Sequence, residues 1–133
     1  MQEMMRQQFG TFLRGIFFIT GKGKVYLTTE YVKKVVKEIG KIEGVGLYIG
    51  RINKDGFRPS IEGAQLLNPK KGIIELSEEQ IKDWLAGYNI SVNAKDGYYI
   101  IKYKGEVMGP GKVANGRLWN YVPKERRITR QGG

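Results

Sequence analysis

A mixed α+β fold built round a small, partly closed sheet is predicted by this sequence, and three observations carry that prediction. Short β-type runs recur along the 133 residues, with many of the 19 glycines at their ends. Two or three short segments pair an apolar face with helix caps. No Ser/Gly/Pro-rich linker and no repeat of roughly 20 to 50 residues divides the chain, so a single domain over 1–133 is expected. At 41% hydrophobic and 27% charged, the composition supplies a core without disulfides.

The elements follow in order. Thr11 to Thr20 and Lys24 to Thr28 read as strands round Gly21-Lys22-Gly23, a hairpin loop whose glycines allow positive φ. Val32, Val35, Val36 and Ile39 fall at i, i+3, i+4 and i+7, which predicts a helix with Thr28 or Thr29 as N-cap and Gly40 as stop. Lys33, Lys34, Lys37 and Lys41 occupy its other face. Gly46 to Ile52 is a third strand, and Ser60 caps a short helix through Ile61 to Leu67 before Pro69. Ser77 with Gln80 forms a capping box for a further helix, which carries Ile81, Trp84 and Leu85 on one face and ends at Gly87. Tyr98 to Tyr103 and Glu106 to Met108 form a tight hairpin through Gly105, and Leu118 to Val122 is the last strand, stopped by Pro123. Residues 129–133 are expected to form a frayed tail.

Composition excludes much chemistry. Cys and His are both absent, which removes thiolate nucleophiles, imidazole acid/base catalysis, the usual zinc sites and disulfides. Glu78 and Glu79 are adjacent carboxylates, but they sit in the first turn of a helix, where acidic side chains complement the dipole. Asp55 and Asp96 each precede Gly in turns. The glycine-rich stretches at Gly44-Val45-Gly46 and Gly111-Lys112 lack the spacing of nucleotide-binding loops. No enzyme activity, cofactor or metal is therefore expected. The amino terminus lacks the apolar run of a signal peptide and no stretch is long enough for a membrane span, so a cytoplasmic protein without a membrane partner is expected.

What remains is charge. Lys and Arg number 23 against 13 Asp and Glu, a net charge of +10. The excess lies at the ends: +4 over 1–43, none over 44–101 and +6 over 102–133. Such an imbalance favours phosphate-rich partners. In the carboxy-terminal segment Lys112, Arg117, Lys124, Arg126, Arg127 and Arg130 are interleaved with Trp119, Asn120 and Tyr121. These supply phosphate contacts, stacking planes and hydrogen-bonding edges, the composition of an RNA-binding surface. Gly111 and Gly116 are expected to let the backbone bend or approach RNA beside Lys112 and Arg117. Trp119 could either stack on a base or pack inside.

The same region is similar to a known family. Gly50-Arg51-Ile52, Gly56-Phe57-Arg58-Pro59-Ser60, the Leu-Ser-Glu-Glu capping region with Leu85-Ala86-Gly87, Gly97-Tyr98-Tyr99-Ile100-Ile101 and Gly109-Pro110-Gly111-Lys112 appear in order. The run from Gly116-Arg117-Leu118-Trp119 through Asn120-Tyr121-Val122-Pro123 to Arg127 completes the series. Together they resemble the PUA-like RNA-binding domain at the carboxy terminus of RsmF-type RNA cytosine methyltransferases. The resemblance runs from about Gly46 to Arg127 and covers residues 1–45 less clearly. Family members carry Lys where this chain has Trp119.

The resemblance implies a PUA-like pseudobarrel and RNA binding, free-standing and without the methyltransferase domain. The missing Cys agrees, since cytosine methylation of this type uses a Cys nucleophile. A non-catalytic module for structured rRNA or tRNA in RNA modification is thus expected, working in trans with a methyltransferase. The alternative is an assembly factor that holds such an enzyme or a ribosome-assembly complex through protein contacts.

Overall fold

The computed structural model describes residues 1–28 and 46–120, with Asn120 described by its backbone alone. Among them are three helices and nine strands: α1 (Gln2–Phe9), α2 (Ile61–Leu67) and α3 (Glu78–Leu85), with β1 (Ile16–Ile19), β2 (Lys24–Thr28), β3 (Leu47–Asn53), β4 (Gly56–Pro59), β5 (Ile73–Glu75), β6 (Ile90–Ser91), β7 (Gly97–Tyr103), β8 (Glu106–Ala114) and β9 (Arg117–Asn120). The strands form a four-stranded sheet in the order β1-β2-β3-β4 and a five-stranded sheet in the order β5-β7-β8-β9-β6. All pairs are antiparallel except β5 with β7. The fold is α+β with a pseudobarrel, as the sequence predicts.

Local chemistry explains most of these elements. The Ser77 side chain accepts from the Gln80 N–H at 3.2 Å, and the Gln80 side chain accepts from the Ser77 N–H at 2.9 Å, the capping box read from the sequence. Ser60 caps α2 by accepting from Gly63 N–H at 2.9 Å. Lys104 (φ 49) and Gly105 (φ 80) both adopt left-handed backbone between β7 and β8, the twist that a two-residue hairpin needs. Asn115 (φ 53) and Gly116 (φ 73) do the same between β8 and β9.

Several expectations are corrected. Thr11 to Gly15 is not strand; β1 is confined to Ile16–Ile19, with the preceding segment serving as the link from α1. Residues 1–10 are instead largely helix, because Met5 and Phe9 lie four apart on one face and are both fully buried. Thr28 ends β2, and the helix for which Thr28 or Thr29 is the expected N-cap lies outside the described residues. The return strand from Glu106 runs on to Ala114, well past Met108. The short strands β4, β5 and β6 were not expected. The helix read over Val32 to Ile39 and the tail after 128 lie outside the described residues.

Two hydrophobic clusters make the core. One gathers Met5, Phe9, Val25, Ile49, Phe57, Ala64, Leu67, Tyr98 and Ile100. The other gathers Leu76, Ile81, Trp84, Ile90, Ile101, Val113 and Leu118. β7 serves both: the neighbours Ile100 and Ile101 point to opposite faces, and each is 0% exposed. The clusters therefore lie on either side of the five-stranded sheet. Packing of α2 onto β3 is close enough that a Cβ on Gly63 would stand 2.1 Å from the Ile49 carbonyl oxygen. Among the described residues no helix is long and apolar enough to cross a membrane.

Candidate nucleic-acid interface

Strand register gathers the site. Tyr98 on β7 pairs with Lys112 on β8, and Lys112 pairs with Trp119 on β9. Arg117 pairs with Ala114 across the same hairpin and with Ser91 on β6. Because side chains alternate along a strand, Lys112, Arg117 and Trp119 share one face while Val113 and Leu118 face the second cluster. Arg117 is exposed, and Trp119 is 45% exposed. The alternative left open by the sequence is thereby decided: Trp119 is a surface residue, and Leu118 beside it is the core one.

The reason lies in how far the first cluster reaches. On this face it takes Tyr98 and Ile100 from β7, but its described members include none from β9. The described members of that cluster stop short of β9, whose outward face carries Arg117 and Trp119.

Lys112 is held rather than loose. Its ammonium donates to Asp55 Oδ2 at 2.6 Å, and the Tyr98 hydroxyl donates to Asp55 Oδ1 at 2.8 Å. The ammonium also stands 5.7 Å from the centroid of the Tyr98 ring. Asp55 comes from the turn between β3 and β4, so this cluster ties the four-stranded sheet to the five-stranded one. The Lys112 ammonium, and next the Tyr98 hydroxyl, hold the Asp55 carboxyl below its ordinary pKa, against a smaller upward push from burial. With a depressed folded pKa, the pair's contribution to stability is present at neutral pH. It is lost only as pH falls through that lowered value. Urea midpoints of the wild type and Asp55→Asn should therefore differ at neutral pH and converge in acid; a gap independent of pH would contradict the pairing.

Beside this cluster lies an open cleft of about 380 Å³ lined by Gln8, Asp55, Gly72, Asp96, Gly97, Tyr98 and Tyr99. Asp96 is engaged in structure, its Oδ1 accepting from Asn115 N–H at 3.0 Å to brace the β8–β9 turn. Among the described residues no three His, Cys, Asp or Glu side chains gather to hold a metal ion.

The expected role of Gly111 is corrected. It lies within β8, buried and away from any bend, where a Cβ would meet Leu118 Cδ1 at 2.6 Å and Ile101 Cδ1 at 3.1 Å. Its glycine is required by the second cluster. Gly116 does sit at the turn beside Arg117. The backbone of Asn120 pairs with Gly111, while Tyr121, Lys124, Arg126 and Arg127 lie outside the described residues. Sequence reasoning missed Asp55 and Tyr98 as partners of Lys112. The local signal at Asp55 was only that of a turn, and nothing in the chain's order announces a contact between the two sheets.

A pseudobarrel with basic and aromatic residues on one strand face fits the PUA-like fold that the sequence resemblance implies. Residues 71–128 match the family model for the methyltransferase RsmF PUA domain, and that segment, from just before β5 through β9 and beyond, belongs to this family. Among relatives, the ribosomal RNA small subunit methyltransferase F of Vibrio campbellii is 28% identical over 110 residues, covering 76% of this chain and 23% of that protein. The protein of the same name from Shewanella oneidensis is 31% identical over 93 residues, covering 65% of this chain and 20% of that protein. The one from Aliivibrio fischeri is 29% identical over 121 residues, covering 87% and 24%. The chain thus spans less than a quarter of the length of these relatives.

Proposed function

We propose that this domain is a non-catalytic RNA-binding module that engages structured rRNA or tRNA in the course of RNA modification, beside an RNA methyltransferase. The observation that carries the reading is the match of residues 71–128 to the RsmF PUA domain, over the strands whose open face holds Arg117, Trp119 and Lys112. Relatives named as ribosomal RNA methyltransferases support rRNA as the first substrate to test. The net charge of +10, with its largest excess after residue 101, favours a polyanion. Lys124, Arg126 and Arg127 follow β9 in sequence and extend the basic surface in this reading, with one of Asn120 and Tyr121 supplying an edge or a stacking group, since neighbours on a strand cannot both face outward.

Phosphate binding on this scale has a measurable signature. About five phosphate contacts give a slope of about −3.5 to −4.5 in log affinity against log salt, from roughly 0.7 to 0.9 per contact. Filter binding of total ribosomal RNA and of transfer RNA across a salt series reads it directly. A slope near zero would overturn the electrostatic reading. Recovery of protein partners from cell extract, with no RNA retained, would favour the assembly-factor alternative.

A further inference from the structure

Trp119 combines features that the phosphate-binding reading does not use. It is a large aromatic at 45% exposure on a regular strand, with Lys112 directly opposite on β8 and Arg117 two residues earlier on the same face. The strand pins its backbone on one side through β8, and Leu118, fully buried, anchors the same strand into the core from the other face. The indole is thus presented from an ordered strand, on the same face as Arg117 and Lys112. Burying it in the fold would have required the first cluster to extend to β9, and its described members do not.

From this placement we propose that Trp119 is a base-stacking platform, and that the RNA recognised here presents an unpaired nucleobase from a loop or bulge. The inference rests on the RNA-binding reading above and sharpens its substrate class. In an A-form duplex every base is stacked between neighbours, so its faces are closed to an indole; an extruded base has both faces available. Stacking on an aromatic is tolerant of base identity, because every base has a π face. Arg117 is then placed to meet the phosphate flanking the extruded nucleotide, which gives both contacts to one nucleotide.

The two tryptophans provide the test. Trp84 is 1% exposed and Trp119 is 45% exposed, so fluorescence accessible to iodide comes from Trp119. Two probes are used, an RNA hairpin with a single bulged adenosine and the same hairpin fully paired. The bulged hairpin should bind at least fivefold more tightly and should shield the accessible fluorescence from iodide, while the paired one should not shield it. Trp119→Ala should abolish the preference, Trp119→Phe should retain most of it, and neither should move the melting midpoint, since the residue lies outside both clusters. Equal binding of both hairpins by the wild type, with Trp119→Ala unchanged, would overturn the stacking platform and leave RNA binding intact. Failure of both hairpins and of ribosomal and transfer RNA to bind would overturn both readings.

Discussion

Trp84→Ala is expected to cost about 3 to 5 kcal/mol, the range for truncating a large buried aromatic. Trp84 is 1% exposed at the centre of the second cluster, on the face of α3 that meets Ile101, Val113 and Leu118. Its indole also lies 3.4 Å from where a Cβ on Gly109 would stand, so helix and β8 are fitted closely at this point. Chemical denaturation of the variant measures the loss. The neighbouring surface substitution Lys82→Ala, on an exposed residue of the same helix, should stay within about 0.5 kcal/mol. A loss below 1 kcal/mol for Trp84→Ala would mean that the second cluster does not depend on α3.

The second large effect is expected on binding. Lys112→Ala combined with Arg117→Ala should weaken RNA affinity tenfold or more and flatten the salt slope by about two contacts, or roughly 1.4 to 1.8. The control is Lys33→Ala with Lys37→Ala, equal in charge change and distant in sequence from the proposed surface. Equal losses from the two pairs would assign binding to net charge alone. The ion pair adds a directional companion test. Asp55 places a negative charge against the Lys112 ammonium on this surface, so Asp55→Asn, which removes that charge, should strengthen RNA binding. If it weakened binding, the Asp55 cluster would be part of the recognition surface.

How far the sequence spoke can be judged from particular residues. Ser77 and Gln80, Ser60, and the glycine loops round Lys22 and at Gly105 act within four residues of one another, and their elements were legible for that reason. The helix α1 carried a usable signal in Met5 and Phe9 followed by Gly10, whose left-handed φ of 72 ends it. Its amide and charged residues, Gln2, Glu3, Arg6, Gln7 and Gln8, leave only that one pair to mark the helix period. Asn115-Gly116 is the strongest short hairpin signal there is, and it would have extended β8 to its full length. By contrast β5 and β6 hold three and two residues; they are strands only because β7 and β9 offer partners. In the candidate site, Arg117 is singled out by composition and by the resemblance of the Gly116-Arg117 run. The exposure of Trp119 depends on tertiary packing beyond its own strand, and the Lys112–Asp55 pair on a strand of one sheet meeting a turn of the other.

One contact made by α1 reaches beyond the helix. The Gln8 side-chain amide donates to the Phe57 carbonyl at 2.9 Å and accepts from the Phe57 N–H at 2.8 Å. Phe57 lies on β4, a border of the four-stranded sheet, so one primary amide stands in for the peptide group that an adjoining chain would otherwise supply. Open borders of this kind invite self-association. At Phe57 that hydrogen-bonding edge is already occupied from within the chain, so an incoming strand would have to displace Gln8 before it could pair there.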